Sequence, residues 1–229
     1  MPWVSNKCGG ARFQTLPDHR IEVEGQGIPV FEPGSPSFTQ LQQTWDNWHR
    51  LIRKYARKTG IPPSYILAIA TKETGLWAKN KEKQANIGSS AGAQGIMQVM
   101  PCRIFEHGRF KDLVCNRDRT DPSSSFDMGS TLLKAHLDNY GGFPAAASAY
   151  NAGGLKCYTG PTSNPAVKPN AFNWMNEHDY AGMATKFNNS AIQFLGVNAP
   201  SMWPWVIGGG LVATAGLFVV STKLPQPQR

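Results

Sequence analysis

The residue best suited to chemistry in this sequence is Glu73. It follows the nearly unbroken apolar run Tyr65-Ile66-Leu67-Ala68-Ile69-Ala70 and stands in Lys72-Glu73-Thr74, just before Gly75. A helix carrying such a run is buried on most sides. A carboxyl group delivered at its end meets apolar surroundings, which disfavour the charged form and raise the pKa. An acid still protonated near neutrality is what glycosidic-bond cleavage needs, because the leaving oxygen must receive a proton. A glutamate at a helix end is more often merely solvated, so Glu73 has to be weighed together with other segments.

Two such segments stand out. Gly92-Ala93-Gln94-Gly95-Ile96-Met97-Gln98 runs on into Val99-Met100-Pro101. Two glycines three residues apart permit a tight turn and close backbone approach. Gln98 and Met100 are then able to line a groove; taken alone, the stretch is a glycine loop entering a helix. Ser148-Ala149-Tyr150-Asn151-Ala152-Gly153 sets a phenol hydroxyl and an amide beside a helix end, where they can hold a sugar or orient a carboxyl group. Alone it is an ordinary helix end.

Taken in order, the three segments resemble the SLT-type lytic transglycosylases, whose catalytic domain is like goose lysozyme. That family's pattern is E-S after an apolar helix, then G-x-x-G-L-M-Q, then A-Y-N-A-G. The similarity continues between these motifs: Gly60-Ile61-Pro62-Pro63 leads into the helix, Asp121-Pro122 opens a later one, Gly129 and Leu132-Leu133 fall at their expected places, and Tyr140-Gly141-Gly142 closes it. The resemblance implies that Glu73 is the only general acid/base. It further implies that Ser89 is the serine ahead of the glycine loop, linked to the glutamate site. Gln98 and Met100 are implied to contact the glycan, and Tyr150 to support the glutamate with Asn151 as its neighbour. Thr74 replaces the family's serine and keeps its hydroxyl; Ile96 replaces leucine. The stretch from Glu73 to Ser89 is long, so the loop holding Lys79–Lys83 reads as an insertion. A fourth motif, E-x-x-x-Y, is met only loosely by Glu177 and Tyr180.

The reaction so implied breaks the β-1,4 bond between N-acetylmuramic acid and N-acetylglucosamine in peptidoglycan strands and leaves a 1,6-anhydro end. It needs no cofactor and no metal, and the five histidines are dispersed. Glu82 and Glu106 lie outside the motifs, so no second carboxylate declares itself for hydrolysis. The alternatives are a goose-type muramidase on the same fold, a non-catalytic membrane-anchored glycan-binding or structural protein, and a fusion or pore protein acting through its tail.

The elements that would position these residues are helical. Phe38, Leu41, Trp45, Trp48, Ile52 and Tyr55 share one face of a predicted helix over 37–59, with Ser37 able to cap it and Gly60 to end it. The Trp pair at helical spacing is expected in the core rather than as a sugar platform. Further helices are expected over 63–75, over 95–109 (interrupted or started near Pro101), and over 125–140 and 144–152, with one or two within 172–195. No strong strand pair is expected. The fold class is therefore mainly α: an N-terminal arm of unknown role (1–36), a lysozyme-like catalytic domain (37–190), a linker (191–202), a transmembrane helix (203–222) and a short basic tail (223–229).

The tail reading rests on the segment Trp203–Val220, WPWVIGGGLVATAGLFVV, which is uncharged and long enough to cross a bilayer, with Trp203 and Trp205 at the interface. No secretory signal is visible at the start. An anchored wall-cutting domain without one suits delivery inside a particle, and the layout is similar to virion-associated transglycosylases of tailless phages with an internal membrane. A role in genome entry and contact with other virion or secretion-complex membrane proteins are expected on that basis, with the bacterial envelope as the alternative location. The net charge of +8 suits a polyanionic envelope, and no nucleic-acid motif is present. The basic group Arg50–Lys58 reads as a solvated helix face. Of the four cysteines, Cys102 and Cys115 can pair in an oxidising compartment; the alternative is four free thiols.

Overall fold

A computed structural model describes residue 3 and residues 12–75, 78–105, 110–152 and 180–198. The chain divides into two units, Met1–Val197 and Asn198–Arg229. The predicted span over 203–222 lies outside the described residues, among which no helix is long and apolar enough to cross a membrane.

Helix α1 spans Pro36–Thr59 and α2 spans Pro63–Thr74. Ser35, not Ser37, caps α1: Pro36 occupies the first helical position, and the Ser35 hydroxyl accepts the Phe38 N–H at 3.3 Å. Gly60 ends the helix in the left-handed conformation, at φ 70°. Leu41, Trp48, Ile52 and Tyr55 form the buried stripe of α1, while Arg50, Arg53, Lys54 and Arg57 face solvent. Trp48 belongs to the core, with its indole N–H donated to Gln84 Oε1 at 2.6 Å. Helix α2 is buried almost all round, from Ser64 to Thr71. It packs against α1, which in turn packs against α5 (Pro122–Tyr140). Asp121 caps α5 by accepting the Ser124 N–H at 2.7 Å. Helix α6 (Phe143–Ala152) folds back on α5, and α7 covers Tyr180–Asn198.

Three further sequence expectations are corrected. Over the described part of the helix predicted at 95–109, residues 95–105, no α-helix forms. Gly95 at φ 76° and Gln98 at φ 46° are both left-handed, which a right-handed helix does not tolerate. Instead Gln94 and Val99 exchange backbone hydrogen bonds of 3.1 and 3.0 Å across a tight turn, and a 3-10 turn follows at Cys102–Phe105. Two short helices, α3 (Lys81–Ala85) and α4 (Lys111–Val114), stand where no element was expected. Finally, a strand pair exists: β1 (Phe13–Thr15) runs antiparallel to β2 (Ile21–Val23), and Phe13, Ile21 and Val23 are fully buried in the core. The segment before residue 37 is thus partly built into the main unit. Cys102 and Cys115 form a disulfide with Cα atoms 4.9 Å apart; Cys8 and Cys157 lie outside the described residues.

Candidate active site

The site begins at the last turn of α2. The carbonyls of a helix's final turn have no partner within the helix. Here Thr71 O accepts from Thr74 Oγ1 at 3.2 Å and from Gln40 Nε2 at 2.8 Å, and the same amide reaches Thr74 Oγ1 at 3.3 Å. Gln40 and Thr74 are buried, so α1 pins the turn from behind. Thr74, the stand-in for the family's serine, has its hydroxyl engaged in this brace.

Between these anchors Glu73 keeps part of its surface open while its surroundings are crowded. Burial pushes its carboxyl up from 4.5 to about 7; a hydrogen bond from Tyr180 and the charge of Lys72 pull the other way. Tyr180 donates its hydroxyl to Glu73 Oε1 at 2.5 Å, and the Lys72 ammonium sits 5.6 Å from the centre of the Tyr180 ring. Burial, then the negative charge of Glu73, lift the phenols of Tyr180 and Tyr150 well above their usual range, so both stay neutral donors.

Tyr150, expected to support the glutamate, gives its hydrogen bond to Met97 O at 2.7 Å. Its link to Glu73 is electrostatic, and the direct donor is Tyr180. Tyr150 is fitted to the glycine loop through Gly129 on α5. A Cβ there would lie 2.5 Å from Met97 Cβ and 2.8 Å from the Tyr150 hydroxyl, so only glycine leaves room.

The loop is braced from several sides. Met97 N–H donates to Ser125 Oγ at 3.2 Å. Arg119 Nη1 donates to Gly92 O at 2.7 Å and to Val99 O at 3.1 Å. A Cβ on Gly95 would strike Arg119 O at 1.9 Å. Ser89 closes the loop's start by accepting the Ala93 N–H at 3.1 Å. The Gln98 amide donates to Gly95 O at 2.9 Å and Ile87 O at 3.0 Å, so its nitrogen holds the loop's shape. Met100 is partly buried just beyond the loop, and Asn151 is exposed near the end of α6. The structure therefore brings Glu73, Tyr150 and Tyr180 together, with Gln98 and Ser89 shaping the loop that Tyr150 holds.

A depression bounded by Gly92, Gln94, Asn116, Arg117 and Arg119 takes in the loop but neither Glu73 nor its tyrosines. Among the described residues no group of three or more His, Cys, Asp or Glu is arranged to hold a metal ion. Sequence reasoning missed Gln40 and Arg119 and met Tyr180 only through a loose motif. Glu177, the other half of that motif, lies outside the described residues.

Residues 50–170 match the family model described as the transglycosylase SLT domain. The matched segment holds Glu73, the glycine loop and Tyr150; the hairpin, Gln40 and Tyr180 fall outside it. Among solved structures the chain is similar to an inactive mutant of lytic transglycosylase Slt from Pseudomonas aeruginosa, at 20% identity and a TM-score of 0.45. That match covers 65% of this chain and 24% of the other, so this chain spans about a quarter of that neighbour's length.

Proposed function

The chain belongs to the transglycosylase SLT domain family, and from that premise we propose that it is a peptidoglycan lytic transglycosylase with Glu73 as its acid/base. The observation that carries this reading is a carboxyl raised to about 7 and held by a phenol donor at a helix end. Such a group is populated in both forms near neutrality, as a residue that must give and then take a proton requires.

Glu73 gives its proton to the glycosidic oxygen between N-acetylmuramic acid and N-acetylglucosamine. The bond from that oxygen to muramyl C1 breaks, and the substrate's N-acetyl group stabilises the positive centre, as in other substrate-assisted glycosidases. Glu73, now a carboxylate stabilised by Tyr180, takes the proton of the muramyl C6 hydroxyl. The C6 oxygen bonds to C1, giving the 1,6-anhydro end and restoring the acid. No water is consumed. Among the described residues, the groups acting on Glu73's titration are Tyr180 and Lys72, neither a carboxylate.

The test is mass spectrometry of fragments released from purified sacculi by the full chain and by Glu73→Gln. Products one water lighter than lysozyme products, absent with the variant, are expected. Hydrated reducing ends would make the enzyme a goose-type muramidase, and no release would favour the glycan-binding alternative.

We further propose that residues 203–222 anchor the enzyme in a membrane and that it travels in a virion, opening the wall locally during genome entry. The apolar, Trp-flanked composition of Trp203–Val220 supports the anchor. Immunodetection in purified particles tests the location; absence there would refute it.

A further inference from the structure

Helix α7 carries Asn188-Asn189-Ser190 in its interior, all three fully buried. Asn and Ser are poor helix formers because their side chains compete for backbone groups. Burying them is unfavourable unless each finds a partner. Their partners are backbone groups of the N-terminal hairpin and of the segment that follows it, at His19, Ile21, Pro29 and Phe31. Asn188 Nδ2 donates to His19 O at 3.0 Å, and Ser190 Oγ accepts the Phe31 N–H at 2.8 Å. Asn189 does most: its Oδ1 accepts the Ile21 N–H at 2.7 Å, and its Nδ2 donates to Ile21 O at 2.9 Å and Pro29 O at 3.0 Å. One amide thus pairs with both backbone groups of a β2 residue, as a neighbouring strand would.

The hairpin also grips the helix that carries the acid. The His19 ring meets Tyr65 on α2 edge-on at 6.2 Å, and Thr15 lies near enough to the Tyr65 hydroxyl to act on its titration. Tyr65 precedes Glu73 by eight residues, and Asn189 follows Tyr180 by nine. At about 1.5 Å per helical residue these are matching spans of roughly 12 and 13 Å. Helices α2 and α7 are therefore joined by two rungs at similar separation. One rung is the Tyr180–Glu73 hydrogen bond; the other is the hairpin, tied to Tyr65 on one side and to Asn189 on the other.

We propose that the N-terminal hairpin is a strut fixing α7 against α2, with Asn189 as the positioning residue that holds Tyr180 on Glu73. The inference rests on the reading of Glu73 as acid/base and extends it to residues outside the matched segment 50–170. The hydrogen bonds of Asn189, with those of Asn188 Nδ2 and Ser190 Oγ, explain how a helix tolerates three buried polar residues in a row, although Asn188 Oδ1 is left unpaired. Local preference is overridden where a position has a job elsewhere.

A double-mutant cycle on the full chain tests this: wild type, Tyr180→Phe, Asn189→Ala and the pair. Each single variant should lower kcat about 10-fold or more, the worth of a hydrogen bond to a charged group. KM should stay within about twofold, since no glycan contact is removed. The pair should be no slower than Tyr180→Phe alone. Carbon-13 NMR of the Glu73 carboxyl gives a readout independent of turnover. Its titration should move upward in Asn189→Ala as in Tyr180→Phe, because both remove the donor that holds it down. Multiplicative losses in the pair, an unchanged kcat in Asn189→Ala, or a carboxyl falling toward 4.5 would each overturn the strut. If wild type releases nothing from sacculi, the functional reading fails while the titration still decides the strut. Should Asn189→Ala not fold, Ser190→Ala removes only the Phe31 bond and should shift the same quantities in the same directions, by less.

Discussion

Replacing Glu73 with glutamine should stabilise the protein at neutral and alkaline pH and change little in acid. Burial raises the folded-state carboxyl from 4.5 to about 7. Between those values the folded protein holds a proton that the unfolded chain has lost. Stability therefore falls as pH rises through this window. The contribution is fully present below 4.5 and gone above about 7. At about 1.36 kcal/mol per pH unit, the gap corresponds to about 3 kcal/mol. Water on the open side of the carboxylate screens it, and about 2 kcal/mol is the expected loss. The amide of Glu73→Gln has no such charge to bury, and its oxygen can still accept the Tyr180 hydroxyl. Calorimetric melts of the two full chains should coincide near pH 4 and separate near pH 8. The separation should be about 4–8 °C in favour of the variant, at the usual conversion for a unit of this size. A gap that is the same at every pH, or a wild type more stable near pH 8, would refute an acid raised by burial.

Three further outcomes follow from the geometry. Gly129→Ala would press a methyl to 2.5 Å from Met97 Cβ, and urea denaturation should show a loss of about 1–3 kcal/mol with activity falling alongside. Gln40→Leu removes the amide that caps Thr71 O, and steady-state kinetics should show kcat falling more than KM rises; stability should drop by about 1–3 kcal/mol. Replacing Cys102 and Cys115 together by serine opens a 13-residue link and should lower stability by about 3 kcal/mol in thermal melts.

The long helices were legible because α1 and α5 each bury a face that repeats in sequence, while α2 is an almost unbroken apolar run. Helix α2, expected over 63–75, runs Pro63–Thr74, and α1 differs by one residue at its start because Pro36 fixes the first turn. The expectation of a helix over 95–109, interrupted or started near Pro101, is not met ahead of that proline. There two left-handed residues, Gly95 and Gln98, fold the chain back on itself. Glycine advertises that freedom, whereas glutamine does not. Helices α3 and α4 have five and four residues, too few to repeat a pattern. The strands have three residues each, and Ile21-Glu22-Val23 shows a single alternation.

The same distinction separates the parts of the site. Glu73 could be found because the reason for its chemistry is local: the apolar turns that raise its pKa are the residues just before it. Tyr180 acts from 107 residues away and Gln40 from 31. No window of sequence contains both ends of such a contact, and a tyrosine or glutamine at a helix position looks the same whether or not it has a distant partner. Tyr150 came from a motif, which supplies a residue type and an implied supporting role but no partner: its hydroxyl is committed to Met97 O, and its coupling to Glu73 is electrostatic. Asn188-Asn189-Ser190 left one readable trace, because buried small residues on either side, such as Ala184 and Ala191, demand a core helix that those three oppose. A conflict between local preference and core position requires partners outside the helix. In this chain those partners are backbone groups between His19 and Phe31, so the polar triplet is where the sequence records that α7 must meet the segment ahead of α1.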